Sequence, residues 1–66
     1  MIAFQVSDMT SERCAGAVTR ALKAADRAAV IRVDMETLTV EIEPSTANAR
    51  QLSDAIKRAG YSPVAA

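Results

Sequence analysis

Leu38-Thr39-Val40-Glu41-Ile42-Glu43-Pro44 alternates apolar and polar side chains without a break. Period-two alternation marks a strand with one face buried and the other in water. Pro44 ends it, because proline brings no N–H to a ladder. Just upstream, Ile31 and Val33 alternate with Arg32 and Asp34, giving a second strand. Glu36-Thr37 between them predicts a tight turn, although without the Asn-Gly chemistry that marks the commonest two-residue hairpins. A hairpin therefore sits in mid-chain.

The flanking segments match each other. On the N-terminal side, Ile2, Phe4 and Val6 alternate with Ala3 and Gln5 as a strand, and Ser7 to Ser11 is a polar loop interrupted by Met9. From about Glu12 to Ala25, the residues Cys14, Val18, Ala21, Leu22 and Ala25 recur at helical spacing. Ser11 or Thr10 can cap this helix, since a hydroxyl accepts from an otherwise unpaired N–H. Asp26 to Ala28 reads as a short connection. On the C-terminal side, Asn48 with Gln51 resembles a capping box. Ala49, Leu52, Ile56 and Ala59 then share one helical face, and Gly60 supplies a left-handed stop. Tyr61 to Ala65 has room for a last strand, which Pro63 places at an edge. The order strand–helix–strand–strand–helix–strand is two βαβ halves joined by a hairpin. It predicts an α+β, ferredoxin-like βαββαβ sandwich, with a four-stranded antiparallel sheet and both helices on one face.

A chain of 66 residues has room for one domain, 1–66, and one core. Half of the residues are apolar but only Phe4 and Tyr61 are aromatic, so the core is expected to be Ile, Leu, Val and Ala. Eight basic and eight acidic side chains cancel. That balance argues against a nucleic-acid partner, which needs clustered Lys and Arg. No apolar run approaches the roughly 20 residues that span a bilayer, so no membrane insertion is expected. The N-terminus lacks the pattern of a signal peptide, and a cytoplasmic location is expected. The lone cysteine, Cys14, has no partner for an intramolecular disulfide. Histidine is absent, which removes Cys–His catalysis and the commonest transition-metal ligand together. With no phosphate-binding glycine loop either, the chain is not expected to be an enzyme.

The stretch Asp8-Met9-Thr10-Ser11-Glu12-Arg13-Cys14 lies between the first strand and the first helix. Here the chain resembles the heavy-metal-associated family, which includes copper chaperones and the N-terminal domains of metal-pumping ATPases. The family carries Met-Thr-Cys-x-x-Cys at this turn. Met9, Thr10 and Cys14 match, and Ser11 stands where the first cysteine belongs. The likeness extends through Cys-Ala-Gly-Ala-Val-Thr-Arg-Ala-Leu-Lys on the first helix, Val33-Asp34-Met35 on the second strand, and Ala59-Gly60-Tyr61 before the last.

The resemblance implies a soft-metal binding or carrier domain, with Cu(I) the expected ion and a metal-transporting ATPase or other metal-handling protein the expected partner. Cu(I) takes two thiolates in near-linear geometry, and Cys14 supplies only one. A second copy of the chain or an external thiol could bring the other. Cys14 also reads as a redox thiol or a small hydrophobe at the core edge. Met9 reads as a second soft ligand or, as is usual in the family, an inward-turned anchor of the loop. Ser11 is most simply a helix cap, its hard oxygen being a poor substitute for sulfur. Tyr61 either tunes the site or packs as a core ring with its hydroxyl at the surface. The competing reading of the whole chain is a metal-free ferredoxin-like interaction module that has lost its ion. Zinc is disfavoured, since a stable structural site wants four N or S ligands.

Overall fold

A computed structural model describes all 66 residues. The elements are β1 (Ile2–Gln5), α1 (Glu12–Ala25), β2 (Val30–Asp34), β3 (Thr39–Glu43), α2 (Ala49–Arg58) and β4 (Val64–Ala65). The strands form one antiparallel sheet in the order β2-β3-β1-β4, so the two βαβ halves interleave as a ferredoxin-like sandwich. The register explains why the pattern works. Ile2 lies opposite Ile42 and Phe4 opposite Val40, while Ile31 and Val33 face the same two β3 residues from the other side. One sheet face is thereby apolar and lies under the helices. The other carries Gln5, Arg32, Asp34, Thr39 and Glu41, as befits a sheet covered on one side only.

The core joins Phe4 and Val6, Val18 and Leu22 of α1, Val40 and Ile42 of β3, and Leu52, Ala55 and Ile56 of α2, with Met9 and Ala29 contributed by loops. Full burial of each large aliphatic side chain is worth about 1.5–3 kcal/mol. Both helix starts are capped as the sequence predicts. Ser11 Oγ accepts from the Cys14 N–H, and Asn48 and Gln51 form a reciprocal capping box. Gly60 takes the left-handed conformation, φ +96°, that ends α2.

Four details depart from the sequence reading. The hairpin turn takes in Met35 to Leu38, wider than Glu36-Thr37, because Asp34 Oδ1 accepts from the N–H groups of Glu36 at 2.9 Å and Thr37 at 3.4 Å. Leu38 consequently adopts φ +55° and β3 starts one residue later than the alternation suggests. The last strand is only Val64–Ala65. Tyr61 N–H is held by the Ile56 carbonyl and Ser62 N–H by Asp8, so the chain joins the sheet only after Pro63. Ala25, expected on the inner face of α1, is exposed, and Asp26 turns inward instead. The Asp26 carboxylate accepts from three successive N–H groups, Ser45, Thr46 and Ala47, at 2.7, 2.9 and 3.1 Å. This clasp fixes the approach to α2, and those bonds hold the carboxyl below its ordinary pKa, Ala47 and Thr46 being the largest causes.

The formal charge is zero, but the charges segregate between layers. The helices carry Arg13, Arg20, Lys23, Arg50, Lys57 and Arg58 against Glu12 and Asp54. The β2–β3 hairpin carries Asp34, Glu36, Glu41 and Glu43 against Arg32. No helix is long and apolar enough to cross a membrane.

Candidate metal site

The site forms at the end of the sandwich where β1 runs out, α1 begins and α2 hands over to the last strand. A helix start leaves four N–H groups unpaired and carries the positive end of the helix dipole. Cys14 sits in that first turn, three residues after the Ser11 cap. Its thiol is neither sealed in the core nor fully exposed: Cys14 is half-buried and packs against the core edge.

Ser11 acts twice here. Its Oγ accepts from Cys14 N–H at 3.3 Å and its hydroxyl donates to Cys14 Sγ, also at 3.3 Å. The thiol pKa lies below its ordinary value. The Ser11 hydroxyl is the largest cause, the Tyr61 hydroxyl the next, and the Ser11 and Thr10 backbone N–H groups add to them against the opposing effect of burial. Each donor stabilises the thiolate more than the thiol. The reciprocal effect appears at Tyr61, whose phenol is pushed up first by its hydrogen bond with Cys14, then by burial and by the negative charges of Cys14 and Asp8. The Tyr61 ring is half-buried against the core edge, with its hydroxyl near enough to Cys14 to lower the thiol pKa.

Met9 goes inward. It is fully buried in the core, and its N–H closes a turn on the Val6 carbonyl at 3.1 Å. Its thioether anchors the loop from beneath and is not presented to solvent beside Cys14. The physical reason is competition for space: the loop leaves β1 over the gap between sheet and helices, and the long apolar side chain fills it. The loop is tied from the other side by Asp8 Oδ1, which accepts from Ser62 N–H at 3.2 Å. The structure thus brings Cys14, Ser11 and Tyr61 together and sets Met9 apart. No cluster of three or more His, Cys, Asp or Glu side chains placed to hold a metal occurs anywhere in the chain. The role of Asp8 as a tie between the two loops went unread in the sequence, where it is one more polar loop residue.

A heavy-metal-associated domain is matched over residues 3–62. The chain belongs to that family. Among solved structures, a gold-binding protein superposes with a TM-score of 0.93 at 30% identity, covering 100% of each chain. The copper chaperone Atx1 from Synechocystis PCC6803, in a trimeric form of a histidine-to-tyrosine mutant, gives 0.91 at 34% identity over 97% of this chain and 100% of its own. The N-terminal domain of PacS from Synechocystis PCC6803 gives 0.83 at 26% identity over 98% and 94%. No curated protein matches the sequence. Family and structural neighbours together support heavy-metal binding or trafficking.

Against that background the donor set of this heavy-metal-associated domain is incomplete for a monomeric two-thiolate site. Cys14 is one soft, partly accessible donor of lowered pKa. Ser11 and Tyr61 offer hard oxygens, which suit neither Cu(I) nor its heavier relatives. What the arrangement supplies is a single activated sulfur on a rigid, capped helix end.

Proposed function

We propose that this protein binds and carries a soft monovalent metal ion, Cu(I) in the first instance, through the Cys14 thiolate, with the second soft donor coming from outside the chain. The observation that supports this is the environment of one sulfur. Cys14 stands half-exposed at the start of α1 with the Ser11 hydroxyl donating to it and a lowered thiol pKa, on a loop held in place by buried Met9. Loading exchanges the thiol proton for the metal, so anything that lowers the thiol pKa lowers the cost of binding near neutral pH. Ser11 and Tyr61 act at that step. Neither needs to touch the ion.

The second donor is the Cys14 sulfur of another copy, a small cellular thiol, or a cysteine of the protein that receives the ion. Sharing suits a carrier, because a metal held by one resident sulfur is released by thiolate exchange. A metal-transporting ATPase or similar metal-handling protein in the cytoplasm is the fitting acceptor, and the role is carriage with no bond made or broken in a substrate.

The test is intact-mass measurement of the reduced protein with stoichiometric Cu(I), alongside competition against a weak chelator. The expected species are one copper per two chains, or one copper with one chain and one added thiol, both abolished by Cys14→Ser. Ser11→Cys should convert the stoichiometry to one copper per chain, because position 11 already lies within 3.3 Å of the sulfur. Failure of the reduced protein to take copper from the chelator refutes the proposal.

A metal-free docking module is the second reading, favoured by how completely Ser11 is used as a cap and thiol partner and by the burial of the only nearby thioether. Partner capture indifferent to chelator and to Cys14→Ser supports it over metal carriage.

A further inference from the structure

The sheet has two unlike edges. β4 is two residues long and follows Pro63. β2 is five residues long, contains neither proline nor lysine, and pairs only with β3. Its first residue, Val30, is 56% exposed. An unpaired strand offers its N–H and C=O groups as a template for another strand, and soluble proteins usually blunt such edges by shortness, charged side chains, proline or a bulge. β4 is blunted by shortness and proline, whereas β2 is guarded only by one exposed charge of each sign, Arg32 and Asp34, which a second copy can complement.

We propose that β2 pairs antiparallel with β2 of a second copy of this chain, in the register that sets Val33 opposite itself and Arg32 opposite the partner's Asp34. The register follows from symmetry and charge. A two-fold axis normal to the sheet keeps faces matched, so directly opposite residues must belong to the same face. Centring on Arg32 sets guanidinium against guanidinium, and centring on Asp34 sets carboxylate against carboxylate. Centring on Ile31 leaves Arg32 opposite Val30, adding no charge pair to the Glu41 it already faces across β3. Only centring on Val33 creates two Arg–Asp pairs, and it engages Arg32, Val33 and Asp34 of each copy, since Met35 already belongs to the turn. Opposite charges directly across a ladder stabilise pairing and like charges oppose it. Asp34 is held ready for this role. Its Oδ1 is fixed by the Glu36 and Thr37 N–H groups, leaving Oδ2 for the guanidinium.

Such a dimer is distinct from one bridged by metal. β2 ends at the same end of the sandwich where α1 begins, so antiparallel pairing sends the two Cys14 sulfurs to opposite ends. It needs neither the ion nor the thiol, and does not depend on the metal reading. Three β2 residues from each copy cover far less surface than a stable interface of about 1,600 Å², so the association is weak.

The test is sedimentation equilibrium of the Cys14→Ser protein with chelator, from about 10 μM to 1 mM, a range matched to weak association. The expected result is an average mass that rises toward the dimer. Arg32→Asp, which sets two carboxylates against each other at both pairs, should weaken association roughly tenfold. Asp34→Arg should do the same, and an equal mixture of the two variants should regain the wild-type affinity as a heterodimer. Circular dichroism confirms the fold of each. Because Asp34 also closes the hairpin turn, Arg32→Asp alone decides the matter if Asp34→Arg unfolds. Monomer at every concentration, association indifferent to Arg32→Asp, or loss of association on going from the wild type to Cys14→Ser each overturns the proposal.

Discussion

Replacing Met9 separates anchorage from ligation more sharply than any other change. Met9 is fully buried and belongs to a loop that is tied at several points: to Val6 by its own N–H, to Ser62 through Asp8, and to α1 through the Ser11 cap. A loop held that firmly cannot collapse into the space left by truncation. Met→Ala at a buried site costs about 2–5 kcal/mol, and the restraint on collapse puts Met9→Ala near the middle, about 3 kcal/mol. A domain of 66 residues has a total stability of about 3–10 kcal/mol at roughly 0.05–0.15 kcal/mol per residue. The loss is therefore a third of the total or more. At about 4–8 °C per kcal/mol for a domain of this size, the melting temperature should fall by roughly 12–24 °C. Met9→Leu keeps the volume and removes the sulfur, and should cost less than about 1.5 kcal/mol. Thermal melts of both variants give the stabilities, and Cu(I) competition gives the metal affinity. Met9→Leu should bind the ion as the wild type does. A Met9→Leu protein that melts normally but loses metal as completely as Cys14→Ser would refute the assignment of Met9 to the core.

Ser11→Ala removes the cap and the strongest donor to the thiol together. It should cost about 1 kcal/mol of stability and raise the Cys14 pKa, slowing alkylation at neutral pH. Tyr61→Phe should raise the same pKa by less and leave the cap intact, and an alkylation rate profile against pH measures both. Asp26→Asn tests the clasp on the β3–α2 loop. The folded-state pKa of Asp26 is depressed, so its stabilisation is complete above the unfolded value of about 3.9 and is lost as pH falls through the lower folded value. Wild-type stability should drop in that acid window, whereas Asp26→Asn should be less stable at neutral pH and show a flatter acid limb in melts against pH.

Much of this fold is legible from local pattern. Helix α1 runs over the predicted Glu12 to Ala25, because its apolar spacing and its cap are both local in sequence. The capping box of Asn48 and Gln51 and the glycine stop at Gly60 are likewise local devices. The hairpin was readable as alternation but not as geometry. The side chain of Asp34 widens the turn, and the left-handed Leu38 is visible only once the turn has closed. The short last strand has the same origin, since Ser62 is held by Asp8 from 54 residues away.

The sequence by itself determined that a single sulfur would stand at a helix start on a ferredoxin-like frame, because hydrophobic period, capping residues and one cysteine at a fixed offset are properties of contiguous residues. Beyond Ser11, a local cap three residues away, tertiary structure decided what surrounds that sulfur. Tyr61 reaches it from the far end of the chain, Met9 is drawn beneath the loop, and Asp26 is buried to organise a loop 19 residues downstream. Which side chains share a gap, and which polar groups must be satisfied inside it, depends on how distant segments pack, and no local pattern encodes that.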